Sequence, residues 1–324
     1  MTKVLLICDK RDWAYDSIAK ALVKYNDRKG LALDIYYIKA DGRSLKEIHK
    51  SYDLCFFIGW QLIFAERRGL FGTGRRYKKR FPFIDDDKIL TGIHSHHAWD
   101  KRETTPDKDV KPPRKLISAL ERCHGVNVVS KRLYSIFKDS GLKNISYTPN
   151  GVDTELFLPT EPVKEDGELR VGYSGSLKHD WRKGITELIE PACKMAGVEF
   201  KKAMPSDGHY VPLDDMPRFY NGIELYLCAS SSEGFSLSVL EASACGRPVV
   251  STRVGGCVDL VQDNDNGFLV NRDVKDIADK LRFFSDKRSR LTEMGRRNRE
   301  IIEDKWSWKK RACDWLDFIE RNTG

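Results

Sequence analysis

Short apolar runs alternate with amphipathic stretches along most of the chain. "KVLLIC", "LDIYYIKA", "DLCFFIG", "KILTGIH" and "VNVVS" are rich in β-branched and aromatic residues and are bounded by turn formers. Each is too short for a helix, and together they predict the strands of a first sheet. "LRVGYSG", "VEFKKAM", "IELYLCAS", "RPVVSTR" and "GFLV" predict a second. Apolar runs without polar alternation belong to strands covered on both faces, and the helical stretches between them supply the cover. The expected architecture is therefore α/β, two doubly wound parallel sheets whose carboxyl strand ends line a shared cleft. "FLPTEPVKEDGELR", rich in Pro and acid, reads as the hinge, and "WSWKKRACDWLDFIERN" as an amphipathic helix outside both sheets. The expected division is residues 1–158, 159–305 and a tail of 306–324.

At 324 residues the chain is long enough for two domains with separate cores. The apolar run in "MTKVLLICDKRDW" is too short for a signal segment and reads as a first strand. No stretch approaches the roughly eighteen apolar residues of a spanning helix. Eight cysteines occur without a CxxC pair or metal-like spacing, which points to buried thiols in a reducing, cytoplasmic setting. The net charge of +8 is uneven: "ERRGLFGTGRRYKKR", residues 66–80, carries seven Lys/Arg against one Glu. Arg75, Arg76, Tyr77 and Lys78 in this loop are acceptor-side candidates, suited to a polyanion such as an anionic membrane or nucleic acid. The plain alternative is a solvated loop. In "DKRSRLTEMGRRNRE" intervening acids indicate a solvated helix face.

The densest chemistry lies in "SSSEGFSLSVLEASACGRPVV". A strand ends, a turn follows, and an apolar helix from Phe235 to Cys245 is expected, stopped by Gly246 and Pro248. Glu233 precedes it and Glu241 sits within it. A carboxylate among apolar neighbours must be hydrogen-bonded, paired or neutralised. Gly234 lets a ligand approach the backbone, and the free N–H groups near Phe235 and Ser236 make a phosphate site at the helix start. Eight helical residues separate the acids by roughly 12 Å. That span runs from a sugar, past a diphosphate, to a ribose, and vicinal hydroxyls on both sugars can donate to carboxylates. The bland alternative is a helix-start charge at Glu233 and an arginine partner for Glu241.

"EGFSLSVLEASACGRPVVSTRVGG" closely resembles the E-x7-E segment of glycosyltransferase family 4, and "NGVDTELFLP" resembles its interdomain signature. The likeness extends from about residue 145 to the end. It implies the GT-B fold, two Rossmann-like domains with the last helix crossing back to the first, and a retaining, metal-independent transferase using a UDP- or GDP-sugar. It implies no cofactor beyond that donor. Glu233 would position the sugar and Glu241 the ribose. In "RVGYSGSLKHDWRKG" a glycine turn at Gly175 follows a strand, and Lys183 matches the family's phosphate-binding lysine. Ser176 stands where an arginine is usual, so Lys178 or Arg182 must supply that charge. His94, in "GIHSHHAWD", matches a strand-end histidine that contacts the donor sugar. A zinc site at His94, His96 and His97 would have poor geometry, and no metal is expected.

After the first strand the family's glycine-rich loop is replaced by "CDKRDWAYDS". Asp9 and Trp13 hold the cleft end there as acceptor-side candidates, with packing the alternative for Trp13. The acceptor implied is an envelope polysaccharide or glycolipid precursor, with the chain peripheral to the inner membrane surface. Another candidate is DNA carrying hydroxymethylated bases, on which Tyr77, Phe81 or Trp13 would stack. A non-catalytic nucleotide-sugar binding module and a nucleotide-sugar epimerase are further alternatives.

Overall fold

A computed structural model describes residues 1–68, 75–95, 110–204 and 208–323. The described residues divide into two compact units. One takes in the chain up to Asn150 and from Trp308 onward; the other is Gly151–Ser307.

The first unit is built on a six-stranded parallel sheet: β1 (Thr2–Cys8), β2 (Leu31–Tyr37), β3 (Leu54–Phe57), β6 (Ile89–Ile93), β7 (Gly125–Val128) and β8 (Ile145–Tyr147). Its order, β2-β1-β3-β6-β7-β8, reverses direction between β1 and β3. Between β3 and β6 the chain makes an antiparallel hairpin, β4 (Phe64–Arg68) and β5 (Arg75–Lys79). The five runs predicted for this sheet are all strands; the three residues of β8 and the hairpin were not anticipated. β1 and β3 are almost wholly buried, as uninterrupted apolar runs require. The closing helix, Trp308–Arg321, belongs to this unit. Trp315 is fully buried against Phe56 and Trp308, with ring centroids 6.0 and 6.2 Å away. Its indole N–H donates to the Pro149 carbonyl at 2.9 Å.

The second unit holds a five-stranded parallel sheet: β9 (Arg170–Ser174), β10 (Glu199–Ala203), β11 (Leu225–Cys228), β12 (Val249–Thr252) and β13 (Gly267–Val270). All five predicted strands form, in the order β10-β9-β11-β12-β13, with the reversal between β9 and β11. Val171, Leu225, Leu227, Val250 and Phe268 of the sheet share one core with helices Glu190–Ala196 and Val274–Asp286.

The expected hinge is a correction. The units change over at Asn150–Gly151, ahead of the boundary expected after Leu158, and the acidic segment is tied along the second unit. Asn221 Oδ1 accepts from the Thr160 and Glu161 amides at 2.9 and 3.3 Å, and Arg247 donates to the Glu161 carbonyl at 2.6 Å. Arg288 donates to the Lys164 and Asp166 carbonyls farther along. Pro and acid content identified an irregular segment, but long-range side chains fix it in place. The return is at Ser307–Trp308, two residues past the expected start of the tail.

No helix among the described residues is long and apolar enough to cross a membrane. All eight cysteines are free and seven are buried, in keeping with their scattered spacing.

Truncating Trp315 removes the largest fully buried side chain of the closing helix. Trp315→Ala should cost about 3–5 kcal/mol, whereas Arg28→Ala, which breaks the partly exposed pair with Asp317, should cost under about 1 kcal/mol. Urea unfolding followed by circular dichroism separates the two.

Candidate functional site

The strand order reverses between β9 and β11, and open α/β sheets hold ligands outside the carboxyl ends at such a reversal. Two predicted segments emerge there: Gly175–Lys183 after β9 and Ser230–Ser236 after β11. The Ser231 amide donates to the Arg182 carbonyl at 2.8 Å, joining the segments through their backbones.

Glu233 is the centre of the join. Only 8% of it is exposed, and its Oε1 accepts from the Lys183 ammonium and, at 2.6 Å, from the Ser230 hydroxyl. The Arg182 guanidinium lies 3.3 Å from the same oxygen and donates to the Ser232 carbonyl. Burial alone would push the carboxyl up; Lys183, Arg182 and Ser230 outweigh it and hold it at about 2. Glu233 is therefore a fixed anion at any physiological pH.

Glycines make this packing possible. Gly184 adopts φ +67°, a left-handed turn beside the Ala229 carbonyl at the end of β11. A Cβ on Gly255 would lie 2.4 Å from the carbonyl oxygens of Glu233 and Gly234, and one on Gly256 would enter the Phe235 ring. With the Gly256 amide donating to Gly234 at 2.9 Å, the Gly-Gly pair after β12 clamps the Glu233 loop.

The helix begins later than expected. Leu237–Ala244 is helical, whereas Ser236 is extended (φ −75°, ψ 105°) and its side chain makes no cap hydrogen bond. Phe235 instead packs on Trp306, ring centroids 4.9 Å apart. The free N–H groups of the first turn thus start at Leu237, and the roughly 12 Å figure, which assumed helix throughout, does not apply. Glycine and Phe235 packing extend the loop at the expense of the first helical turn.

Glu241 has no arginine partner among the described residues. Its Oε2 accepts from the Tyr220 hydroxyl at 2.7 Å. Burial pushes its carboxyl up to about 7, with only that hydrogen bond opposing. Two acids on one segment therefore carry opposite shifts.

Of the two candidates for the missing arginine's charge, Arg182 is the buried one beside Glu233, while Lys178 is exposed, its amide donating to Ser176 Oγ at 3.3 Å. Sequence reasoning missed Ser230, Tyr220 and Thr252, whose hydroxyl holds the Ser230 carbonyl. The serine run offered a signal for the first; the other two arrive from distant segments.

In the first unit, His94 follows β6. Its Nε2 bonds the Ile58 carbonyl at 2.7 Å, and its ring packs on Tyr15 and Trp315 at 5.0 and 6.2 Å. Burial lowers its pKa to about 4, so the ring is neutral at pH 7. Nε2 donates to Ile58, which leaves Nδ1 as an acceptor. His96 and His97 lie outside the described residues. Asp9 follows β1. Trp13 is 55% exposed with the Lys10 ammonium 3.4 Å from its ring centroid, so it is not a packing residue.

The basic loop is the β4–β5 hairpin, its tip outside the described residues. Its register sets Arg67 opposite Arg76 and Arg68 opposite Arg75. Tyr77 is buried edge-on against Trp60, 5.7 Å between centroids, and Phe81 stacks on Phe57 at 5.6 Å. Tyr77 is not open to a flipped base, and Phe81 is half-buried. Lys78 is exposed.

Residues 194–286 match the family model described as Glycosyl transferases group 1. The capsular polysaccharide biosynthesis glycosyltransferase CapM of Staphylococcus aureus is 29% identical over 211 residues, 54% of this chain and 55% of CapM. The solved sucrose-phosphate synthase of Thermosynechococcus elongatus superposes over 99% of both chains with a TM-score of 0.71 at 16% identity. Over residues 194–286 the chain resembles the group 1 glycosyltransferases, and its fold is that of the GT-B enzymes. Another structure of this fold, Anabaena Alr3699/HepE in complex with UDP and glucose, aligns over 99% of this chain and all of its own, TM-score 0.67 and 14% identity. The chain spans about half the length of CapM.

The two acids predict opposite pH effects on stability. The Glu233 contribution is complete above the ordinary carboxylate range and is lost as pH falls towards 2. Glu233→Gln should therefore cost about 3–5 kcal/mol at pH 7, a gap that closes on acidification. Glu241, with its raised value, destabilises increasingly as pH rises from the ordinary range towards 7. Glu241→Gln should raise Tm at pH 8 and leave it nearly unchanged at pH 4. Thermal melts across pH 3–8 test both.

Proposed function

We propose that the chain is a retaining glycosyltransferase that moves a sugar from a nucleotide-diphosphate sugar to an acceptor hydroxyl. The observation that carries this reading is the cluster of Glu233, Lys183 and Arg182 at the β9/β11 reversal, beside the free amides that open helix Leu237–Ala244. Diphosphate needs fixed positive charge as the sugar–phosphate bond breaks, and here it comes from an ammonium, a guanidinium and backbone N–H groups. Glu233, permanently ionised, accepts from the sugar hydroxyls. Glu241 accepts from the ribose. For His94 the family resemblance supplies the role, a contact to the donor sugar, and its Nδ1 acceptor suits a hydroxyl.

Retaining hydrolases place a nucleophilic carboxylate about 5 Å from the acid. Both carboxylates here are already engaged, Glu233 by two cations and Glu241 by Tyr220. The reading is therefore front-face displacement: the acceptor oxygen bonds the anomeric carbon on the side the diphosphate leaves. A departing phosphate oxygen takes the acceptor's proton. The cations supply the stabilisation a metal would give, so no metal enters the scheme. UDP is the donor nucleotide we favour, because HepE shares the fold and its structure contains UDP.

The acceptor we favour is an envelope polysaccharide or glycolipid precursor, as CapM's name describes for that relative. The basic residues 66–80, on and around the β4–β5 hairpin, suit an anionic surface. For the DNA reading, Tyr77 is spent in packing, which leaves Trp13 as its exposed stacking residue.

Lys183→Ala and Arg182→Ala should each lower kcat/KM for transfer about 100- to 1,000-fold, and the native product should keep the donor's anomeric configuration by NMR. Full activity should survive EDTA. An unchanged rate in Lys183→Ala would remove that residue from the site. Separately, native protein should sediment with phosphatidylglycerol vesicles and be released by salt, and Lys78→Glu/Arg80→Glu should weaken this without changing soluble donor hydrolysis.

A further inference from the structure

Glu241 is held by a chain of hydroxyls that no sequence motif announces. The Tyr220 hydroxyl donates to Glu241 Oε2 at 2.7 Å and lies 2.9 Å from Ser174 Oγ. Ser174 Oγ is in turn 3.1 Å from the Tyr226 hydroxyl, and the Ser174 amide donates to that same hydroxyl at 3.3 Å. Tyr220 is fully buried and sits on helix Met216–Asn221; Tyr226 is on β11; Ser174 ends β9, immediately before the Gly175–Ser176 turn. The ring of Tyr220 is fixed by Phe157, Phe219 and Tyr226 at 6.0, 5.5 and 5.7 Å. A buried phenol so confined cannot rotate away to find another acceptor.

We propose that Tyr220 is a positioning residue for the donor nucleotide: it fixes one oxygen of Glu241, leaves the other for the ribose, and through Ser174 ties that carboxylate to the turn that opens the diphosphate segment. The proposal rests on the reading that Glu241 holds the ribose. Ribose and diphosphate contacts would then be set as one unit, because a shift of the turn after β9 moves Ser174 and with it the Tyr220–Glu241 bond. Hydroxyl chains in a dry setting reinforce each other in this way.

The surroundings of Glu241 make the effect readable by pH. Tyr220 faces it from helix Met216–Asn221 and Tyr226 lies beyond on β11. Cys245 follows on its own helix, a thiol raised by burial. Arg299, from helix Ser289–Ile301, is engaged by the Phe157, Ala244 and Thr154 carbonyls and by Glu303. With the cation so occupied, the Tyr220 hydroxyl is what favours the ionised carboxylate. Removing it should move the ionisation of Glu241 upward.

The test is UDP affinity of the full chain by calorimetry between pH 5.5 and 9, with 2′,3′-dideoxy-UDP as the probe lacking the vicinal hydroxyls. Tyr220→Phe should bind UDP about tenfold more weakly at pH 7, with the midpoint of the affinity profile about one pH unit higher. It should bind the dideoxy analogue as the native chain does. A purely structural role would lower Tm without moving that midpoint. Ser174→Ala, which keeps the phenol and cuts the link, should shift the midpoint in the same direction by less, and it serves if Tyr220→Phe fails to fold. If either folded variant keeps the native UDP affinity and midpoint while Glu241→Gln loses UDP preference over the analogue, the positioning role is overturned and the ribose reading stands. If Glu241→Gln retains that preference, the ribose reading itself fails and takes this inference with it.

Discussion

A buried carboxylate that must stay ionised is the constraint around which the second unit is arranged. Desolvating one ionised carboxyl costs several kcal/mol unless charge and hydrogen bonds replace the water. Glu233 meets that demand with Lys183, Arg182 and Ser230, which come from two different strand ends. The β9 and β11 crossovers are therefore locked to each other by electrostatics as well as by the Ser231–Arg182 backbone bond. The left-handed turn at Gly184 and the clamp of Gly255 and Gly256 follow from the same need, since a side chain at any of them would push the partners apart.

Glu241 shows the opposite solution on the same segment. It has one neutral donor in place of two cations, and its carboxyl rises where that of Glu233 falls. The pairing separates two tasks. A permanent anion beside cations is suited to hold a hydroxylated ligand against a diphosphate. A carboxyl held by a single neutral donor changes its charge near pH 7. One repeat of glutamate thus yields two chemistries because the long-range partners differ.

Much of this was legible in the chain. The predicted runs became strands, those of β3, β6, β7, β11 and β12 buried on both faces, and the "EGFSLSVLEASACGRPVV" and "DWRKG" segments fell at strand ends as parallel crossovers require. What escaped had physical reasons. β8 has three residues, below what periodicity can register. The Pro- and acid-rich segment read as the hinge because Pro and acid are loop formers, yet Asn221, Arg247 and Arg288 tie it to the second unit from sites far along the sequence. The helix start slipped to Leu237 because Phe235 has a tertiary partner in Trp306 that local pattern cannot see. Tyr220 was invisible for the same reason: its function comes from what faces it.

The first unit departs most from the family pattern, and its local chemistry explains how. In place of a glycine-rich loop after β1, Asp12 takes φ +58°, a conformation that short polar side chains tolerate. Its amide donates to Asp16 Oδ2 at 2.8 Å, and Asp16, fully buried, also accepts from the Tyr37 hydroxyl and pairs with Lys20. Burial raises that carboxyl, but Lys20, Tyr37 and the Asp12 amide together bring it below its ordinary value. A charged network thus holds this loop, and it presents Trp13 to solvent with Lys10 over its ring. An exposed, cation-capped indole on a rigid loop is a defined surface. It combines a flat apolar face with a positive rim.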